Sequence, residues 1–479
     1  MTSTETSPSP PLSPRFWNCS IPLSRRWYFI IGVTLMLLKY GVEYAFIREY
    51  TGEFYSLFDF LNPLLTSRQH FLRGAPEWFG TTWLLWTFPF VTLAVLLSVR
   101  RAIDAGCSPW WGLAILLPGV NFLVMFALAA LPSARNASAI LSSDYESESR
   151  QVTSPLSAFQ SMLLGVGIAA IYGFGTCVLT IYAFGSYGAA LFYGTPVVAG
   201  AVAAYYYNRQ ESRSWLASIG VSALPIICIG GLFLIVALEG LICILMAAPL
   251  ALPLAAVGGL VGKGIADAQL TRRDGRRQLA GCLLALPLIA FGESRLPNDF
   301  EYMAASSVVV DAPPEVVWRY VVDFPPIDSK PSWLFRMGIA SPKGARIEGA
   351  GVGAIRHCDF TTGSFVEPIT VWDPPSRLAF DVTKQPEPMF ELTPYRHVHP
   401  PHLTGAFRST RGEFVLEPLA NGKTRLTGHT WYKLKMAPQG YWTAWTDWII
   451  HRIHRRVLDH VQELAESHQA DVANAESAQ

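Results

Sequence analysis

Between Trp27 and Glu293 the sequence is a succession of long, nearly charge-free runs, and a soluble fold seldom gathers so many of them. A helix needs about 20 mostly apolar residues to cross roughly 30 Å of hydrocarbon. Residues 27–47, 78–98, 110–131, 161–184 and 188–207 reach that length. Residues 218–262 are long enough for two crossings, with Glu239 and Gly240 at the turn. Residues 279–291 are only about 13 long and suit the membrane interface better than a crossing. Seven or eight spans are expected. Composition agrees: 51% of residues are hydrophobic and 15% are charged, against roughly a quarter charged in a soluble domain. Lys and Arg number 37 and Asp and Glu 36, a net charge of +1. That balance excludes a wholly disordered chain and gives no field for nucleic acid, so no nucleic-acid partner is expected.

The termini differ from this region. Residues 1–24 are rich in Ser, Thr and Pro and read as a disordered tail. A polar stretch this long before the first apolar run does not fit a signal peptide, so the first span is expected to be retained. Residues 467–479 read as a flexible tail. Between the tails lie membrane modules at 25–135 and 155–293 and a soluble domain at 300–466. Four of the seven cysteines, Cys177, Cys228, Cys243 and Cys282, fall in expected spans, and no C-x-x-C pair occurs. Neither a zinc ribbon nor a disulfide framework is indicated, and no cofactor motif is found. Arg25 and Arg26 before the first span and Arg100 and Arg101 after the second point to an inside N-terminus. The basic stretch 263–277 also favours the inside. Ranking charge above span count, the soluble domain is expected on the cytoplasmic side of a multi-pass membrane protein.

The first module contains Arg100-Arg101, Asp104, Gly106 and Trp110-Trp111 leading into an apolar run. This resembles a bacterial membrane family known only as a domain of unknown function (DUF eight-oh-five), whose hallmark is Arg-Arg-Leu-His-Asp, a Gly-containing turn and Trp-Trp. Ala102 and Ile103 depart from the pattern. The resemblance implies location rather than chemistry. On the residues themselves, Arg100 and Arg101 suit lipid phosphates, Trp110 and Trp111 suit the headgroup level, and Asp104 is placed to pair with an arginine. Lys39 and Glu43 lie one helical turn apart in the first span, where a structural pair is expected over an ion path. In the second module Gly165, Gly167, Gly173 and Gly175 permit close helix approach. The Gly258–Gly264 stretch, GGLVGKG, lacks the spacing of a phosphate-binding loop, and no repeat of the first module is found.

After Glu293 the sequence alternates. Residues 306–310 read as a strand, Asp311 as a helix cap, and Pro313 and Pro314 as its first turn. Val316, Val317, Tyr320 and Val321 make an apolar stripe. Strands follow at 353–360, 365–372, 378–383, 412–417 and 424–434, and then a long amphipathic helix from Tyr441. Strand, helix, antiparallel strands and one long C-terminal helix is the order of a helix grip. The stretches 308–324, 369–380 and 412–432 resemble the SRPBCC superfamily, which comprises START-like, polyketide cyclase/dehydrase and lipid-transport domains. The expected fold is therefore an α-helical polytopic membrane region followed by an α+β helix-grip (START-like) domain. The resemblance implies an apolar cavity and a hydrophobic small molecule or lipid as ligand.

Period-2 alternation nominates Leu378, Phe380, Phe414, Leu426 and Tyr432 as lining, closed over by Trp445 and Ile449. A filled core gives the same pattern. His357 and Asp359 share a strand face and are the acid/base candidates, with Arg356 and Glu367 nearby. His397, His399 and His402 are candidate metal ligands, although two intervening prolines favour a loop and no metal is expected. Residues 451–456, HRIHRR, make one side of the last helix basic, as a solvated face or a contact with anionic lipid. No nucleophile elbow or dinucleotide fingerprint occurs. The sequence thus favours binding over catalysis: a membrane-tethered carrier or sensor of an apolar ligand, with membrane lipids as partners. The alternatives are a cyclase- or hydratase-like enzyme and a scaffold for a protein partner. Oligomeric state is not encoded in any local pattern.

Overall fold

The computed structural model describes residues 22–61, 71, 78–107, 109–116, 120–134, 156–269, 275–295, 300–395 and 398–477. The chain divides into two compact units. One comprises residues 1–184, 189–229 and 249–293; the other comprises 185–188, 230–248 and 294–479.

The helices of the N-terminal region are α1 (Arg25–Thr51), α2 (Leu57–Leu61), α3 (Trp78–Asp104), α4 (Val120–Ala130), α5 (Ala158–Val178), α6 (Thr195–Asn208), α7 (Trp215–Ile235), α8 (Leu241–Gln269) and α9 (Gly275–Glu293). Four helices among the described residues are long and apolar enough to cross a membrane: Arg25–Thr51, Ala158–Ala183, Trp215–Ile235 and Leu241–Asp267. The protein is a multi-pass membrane protein. Residues 218–262 do form two helices, turning at 236–240. Two other expected spans are interrupted. Residues 110–131 form a 3-10 stretch, Pro109–Leu116, and then the 11-residue α4. Between them the sequence carries Pro118, which has no N–H to donate to a helix. Residues 188–207 begin as a single π-turn, Ala190–Gly194, before α6. Lys263 is not a loop cation. It is buried on α8, 3.0 Å from Asp267 and from the Ser212 hydroxyl, because α8 continues to Gln269.

Arg101, fully buried, holds the first module together. It meets Asp104 at 2.5 Å, donates from Nε to the Leu128 carbonyl at 2.9 Å, and also reaches the Leu131 carbonyl. Leu128 lies in the last turn of α4 and Leu131 just beyond it, where C=O groups lack helical partners. In the second module close helix contact rests on glycine: a Cβ on Gly258 of α8 would lie 2.0 Å from the Val197 carbonyl of α6. Of the expected close-approach glycines, Gly165 and Gly173 fill that role, and Gly167 and Gly175 face open space.

The second unit holds a seven-stranded, wholly antiparallel sheet in the order β1-β7-β6-β5-β4-β3-β2. Its elements are β1 (Glu301–Val310), α10 (Pro314–Val322), α11 (Trp333–Arg336), β2 (Pro342–Glu348), β3 (Ile355–Phe360), β4 (Gly363–Asp373), β5 (Arg377–Asp381), α12 (Pro401–Gly405), β6 (Phe407–Pro418), β7 (Thr424–Leu434) and α13 (Gln439–Ser477). Register shifts in β4 and β6 mark bulges, which sharpen the curl of the sheet. α10 is capped by Pro313, not Asp311: Pro314 presets the helical φ, and Asp311 instead pairs with Lys423 at 3.0 Å. α13 runs through the expected loose end as far as Ser477, since Ala, Gln and Glu there are good helix formers. Its Val457, Leu458, Val461 and Ala465 are buried with Val310, Val317, Val321, Leu378, Phe380, Leu416 and Leu426 in the main core. A second cluster in the same unit joins Ile242 to Leu334, Phe335, Ile339, Met389 and Leu403, with Trp448, Ile449 and Ile453 of α13 against it.

Candidate functional site

The face of the curled sheet that α13 covers is set by alternation. On β3 Arg356 and Cys358 are buried, and on β7 Thr424, Leu426, Gly428 and Tyr432 are. The nominated lining residues divide between two places. Leu378, Phe380 and Leu426 lie in the main core with Phe414 packed on it. Ile449 packs on the second cluster, and Trp445 stacks edge-on against Trp448, ring centroids 5.8 Å apart. Tyr432 stacks on Tyr302 and donates to Asp447 Oδ1 at 2.6 Å. Burial, with Asp447 beside it, raises the Tyr432 phenol well above its ordinary range.

Two polar groupings stand in this apolar interior. Arg356 and Glu367 are cross-strand neighbours on β3 and β4 and form a buried ion pair. The guanidinium also donates from Nε to the Val322 carbonyl at 3.3 Å and lies 5.4–5.9 Å from the rings of Phe324, Phe380 and Phe414. Burial raises the Glu367 carboxyl, and Arg356 opposes that rise. Burial, aided by Glu367, pushes the neighbouring Cys358 thiol up to about 12, so it stays protonated. The second grouping joins α13 to β1 and β7. The Ser306 hydroxyl lies 2.7 Å from His451 Nδ1 and 3.1 Å from His454 Nδ1, and the Thr430 hydroxyl lies 2.8 Å from His454 Nε2. Burial, then the neighbouring His451 and His429, push His454 down to about 3. The histidines of HRIHRR therefore face the sheet, and Arg456 donates to the Ser329 carbonyl at 2.7 Å.

His357 and Asp359 share a face as their spacing implies, but it is the one opposite Arg356 and Cys358, outside the grip. His357 Nε2 is 3.5 Å from Glu348, and Asp359 accepts from Ser364 and lies 3.6 Å from Arg346. Among the described residues, His399 and His402 meet different partners. His397 lies outside the described residues, and His399 meets Glu387 at 2.7 Å. His402 instead stands against Cys243 and Glu239, with Glu391 beside them. Sequence reading missed that group because its members lie up to 163 positions apart. The interface candidates are mixed. Arg101 is internal, Trp111 is exposed, and the side chain of Trp110 lies outside those described. Arg100 is partly buried, and its carbonyl accepts from Leu23 N at 3.2 Å. Lys39 and Glu43 are ion-paired, with Tyr55 donating to Glu43 at 3.3 Å.

A curled antiparallel sheet gripping one long helix, on a chain that also carries membrane-type helices, defines a membrane protein with a START-like domain. Residues 304–466 match the family described as polyketide cyclase / dehydrase and lipid transport. Residues 17–139 match a protein family of unknown function, DUF805. None of the curated proteins matches the chain. Among solved structures, a norcoclaurine synthase mutant from Thalictrum flavum is 13% identical, covering 36% of this chain and 99% of its own, with a TM-score of 0.25. The ZhuI aromatase/cyclase from a Streptomyces species is 16% identical, covering 35% of this chain and 94% of its own, with a TM-score of 0.22.

Proposed function

We propose that the helix-grip unit takes up a largely apolar molecule, a lipid or a compound that partitions like one, and holds it at the membrane as a carrier or sensor. The supporting observation is the uneven closure of the grip along α13. Its later turns bury Val457, Leu458, Val461 and Ala465, whereas Trp445, Trp448 and Ile449 stay half-buried. Trp333, 58% exposed, lies against Trp448 with ring centroids 6.4 Å apart. Phe390, Leu392 and Tyr395 are also exposed, on the loop whose Leu392 carbonyl accepts from Leu241 N. Exposed apolar side chains grouped in this way suit a ligand mouth or a membrane contact. Ser306, Thr430 and the two histidines offer hydrogen bonds to a polar end of the ligand.

The same network argues against acid/base catalysis in the grip. A histidine held near 3 is a poor proton acceptor at neutral pH, and His357 and Asp359 face away. The place assigned is a bacterial inner membrane with the unit on the cytoplasmic side, supported by Arg25 and Arg26 at the head of α1.

The test is solvent extraction and mass spectrometry of the full chain purified in detergent. One apolar species recurring near one per chain is expected. It should fall about tenfold in a W445A/W448A variant whose unfolding temperature is unchanged. A well-folded protein carrying no recurring species would end this reading and favour a protein partner.

A further inference from the structure

Glu239 and Cys243 flank the start of α8, and Glu391 and His402 come from the loop and short helix between β5 and β6. All four belong to the second unit. One ligand-type atom from each lies within 4.8 Å of the other three. Cys243 Sγ is 3.0 Å from His402 Nε2, and His402 Nδ1 is 3.4 Å from Glu239 Oε1. Glu391 Oε2 accepts from the Ile242 N–H at 3.2 Å. The carboxylates crowd against the turn so closely that a Cβ on Gly240 would lie 2.1 Å from Glu391 Oε2.

What this group lacks, among the described residues, is a lysine or arginine to balance its carboxylates. Glu239 is only 8% exposed, yet its Oε2 has no hydrogen-bond partner, and neither has Glu391 Oε1. A buried carboxylate oxygen without a donor is costly, and a bound cation removes that cost. Two carboxylates and a thiolate around one imidazole supply up to three negative charges, which a divalent cation offsets.

We propose that Glu239, Cys243, Glu391 and His402 form a binding site for a divalent transition metal, zinc by its ligand chemistry. Thiolate, imidazole and carboxylate together suit zinc, whereas magnesium and calcium take oxygen ligands only. Tetrahedral zinc sets its ligand atoms about 3.3–3.8 Å apart. The sulfur–nitrogen pair therefore opens by roughly half an ångström and the widest pair closes by about one. Tyr187 packs its ring edge against the His402 ring, centroids 5.5 Å apart, and limits its rotation. The metal ties residues 239–243, where α8 begins, to residues 391–402 beside β6. Cysteine, histidine and glutamate in this order also resemble a nucleophilic triad. Such a triad uses one carboxylate to orient the imidazole, whereas the second carboxylate here, at Glu391, fits a four-ligand cation site.

The full chain in detergent is stripped with a chelator, dialysed against zinc and analysed by elemental mass spectrometry. About one zinc per chain is expected, raising the unfolding temperature over the stripped protein. Cobalt in place of zinc is expected to give a near-ultraviolet thiolate-to-metal band that C243S abolishes. E391Q and H402Q should each weaken zinc about 100-fold while keeping the stripped protein's own unfolding temperature. That last comparison separates loss of metal from loss of fold. A folded wild-type chain that takes up no zinc and gives no cobalt band overturns the proposal. So does rapid alkylation of Cys243 at equal rates with and without zinc, which would point to a nucleophile. Metal content is read with no apolar ligand present, so this outcome is independent of the grip's cargo.

Discussion

His454 sits neutral among Ser306, Thr430 and His451, and that neutrality links stability to pH. Its ordinary value is 6.5 and the folded protein holds it near 3. Between those values the unfolded chain binds a proton that the folded chain refuses, so this contribution to stability is lost as pH falls. The slope is about 1.4 kcal/mol per pH unit, or about 2 kcal/mol by pH 5. H454Q should show a shallower fall in unfolding midpoint between pH 7 and pH 5 than the wild type; equal slopes would refute the assignment. At this scale the sequence was half legible. Alternation on β3 joins His357 to Asp359, but Arg356, expected beside them, points to the other face and pairs with Glu367 inside the grip. Which face turns toward α13 depends on the curl of the whole sheet, and a two-residue period carries no sign.

Elements were legible wherever a period repeated. β7 runs over the same eleven residues that alternation marks, and β1, β3, β4, β5 and β6 overlap their expected ranges. β2 was missed because Pro342-Lys343-Gly344 opens it and, as an edge strand, it pairs on one side only. Among the membrane helices, length and apolarity located the segments, but π-turns and 3-10 turns shortened two of them. Leu458 tests the tight half of the grip. It is buried against the sheet, so L458A should cost about 2–5 kcal/mol in chemical denaturation of the full chain. A cost below 1 kcal/mol would mean that α13 is as loosely seated there as around Trp445.

At the scale of the molecule, the helix-grip unit is not contiguous in sequence, since it recruits residues 185–188 and 230–248 from the membrane region. No local pattern announces such recruitment: Ile242 looks like any other residue of an apolar run until Leu334, Ile339 and Met389 are seen around it. A fragment beginning at Ser294 would lack that cover. Compared with the full chain in the same detergent, it should unfold at lower temperature and bind several-fold more of a hydrophobic dye. Equal stability would show the recruited segment to be incidental. The recruited turn is translated some 60 residues before the first strand of the sheet, about three to twelve seconds earlier at ordinary elongation rates. The strands therefore emerge from the ribosome after the segment that covers part of their unit has already been made. Completion of the grip thus waits on two stretches of chain separated in time as well as in sequence.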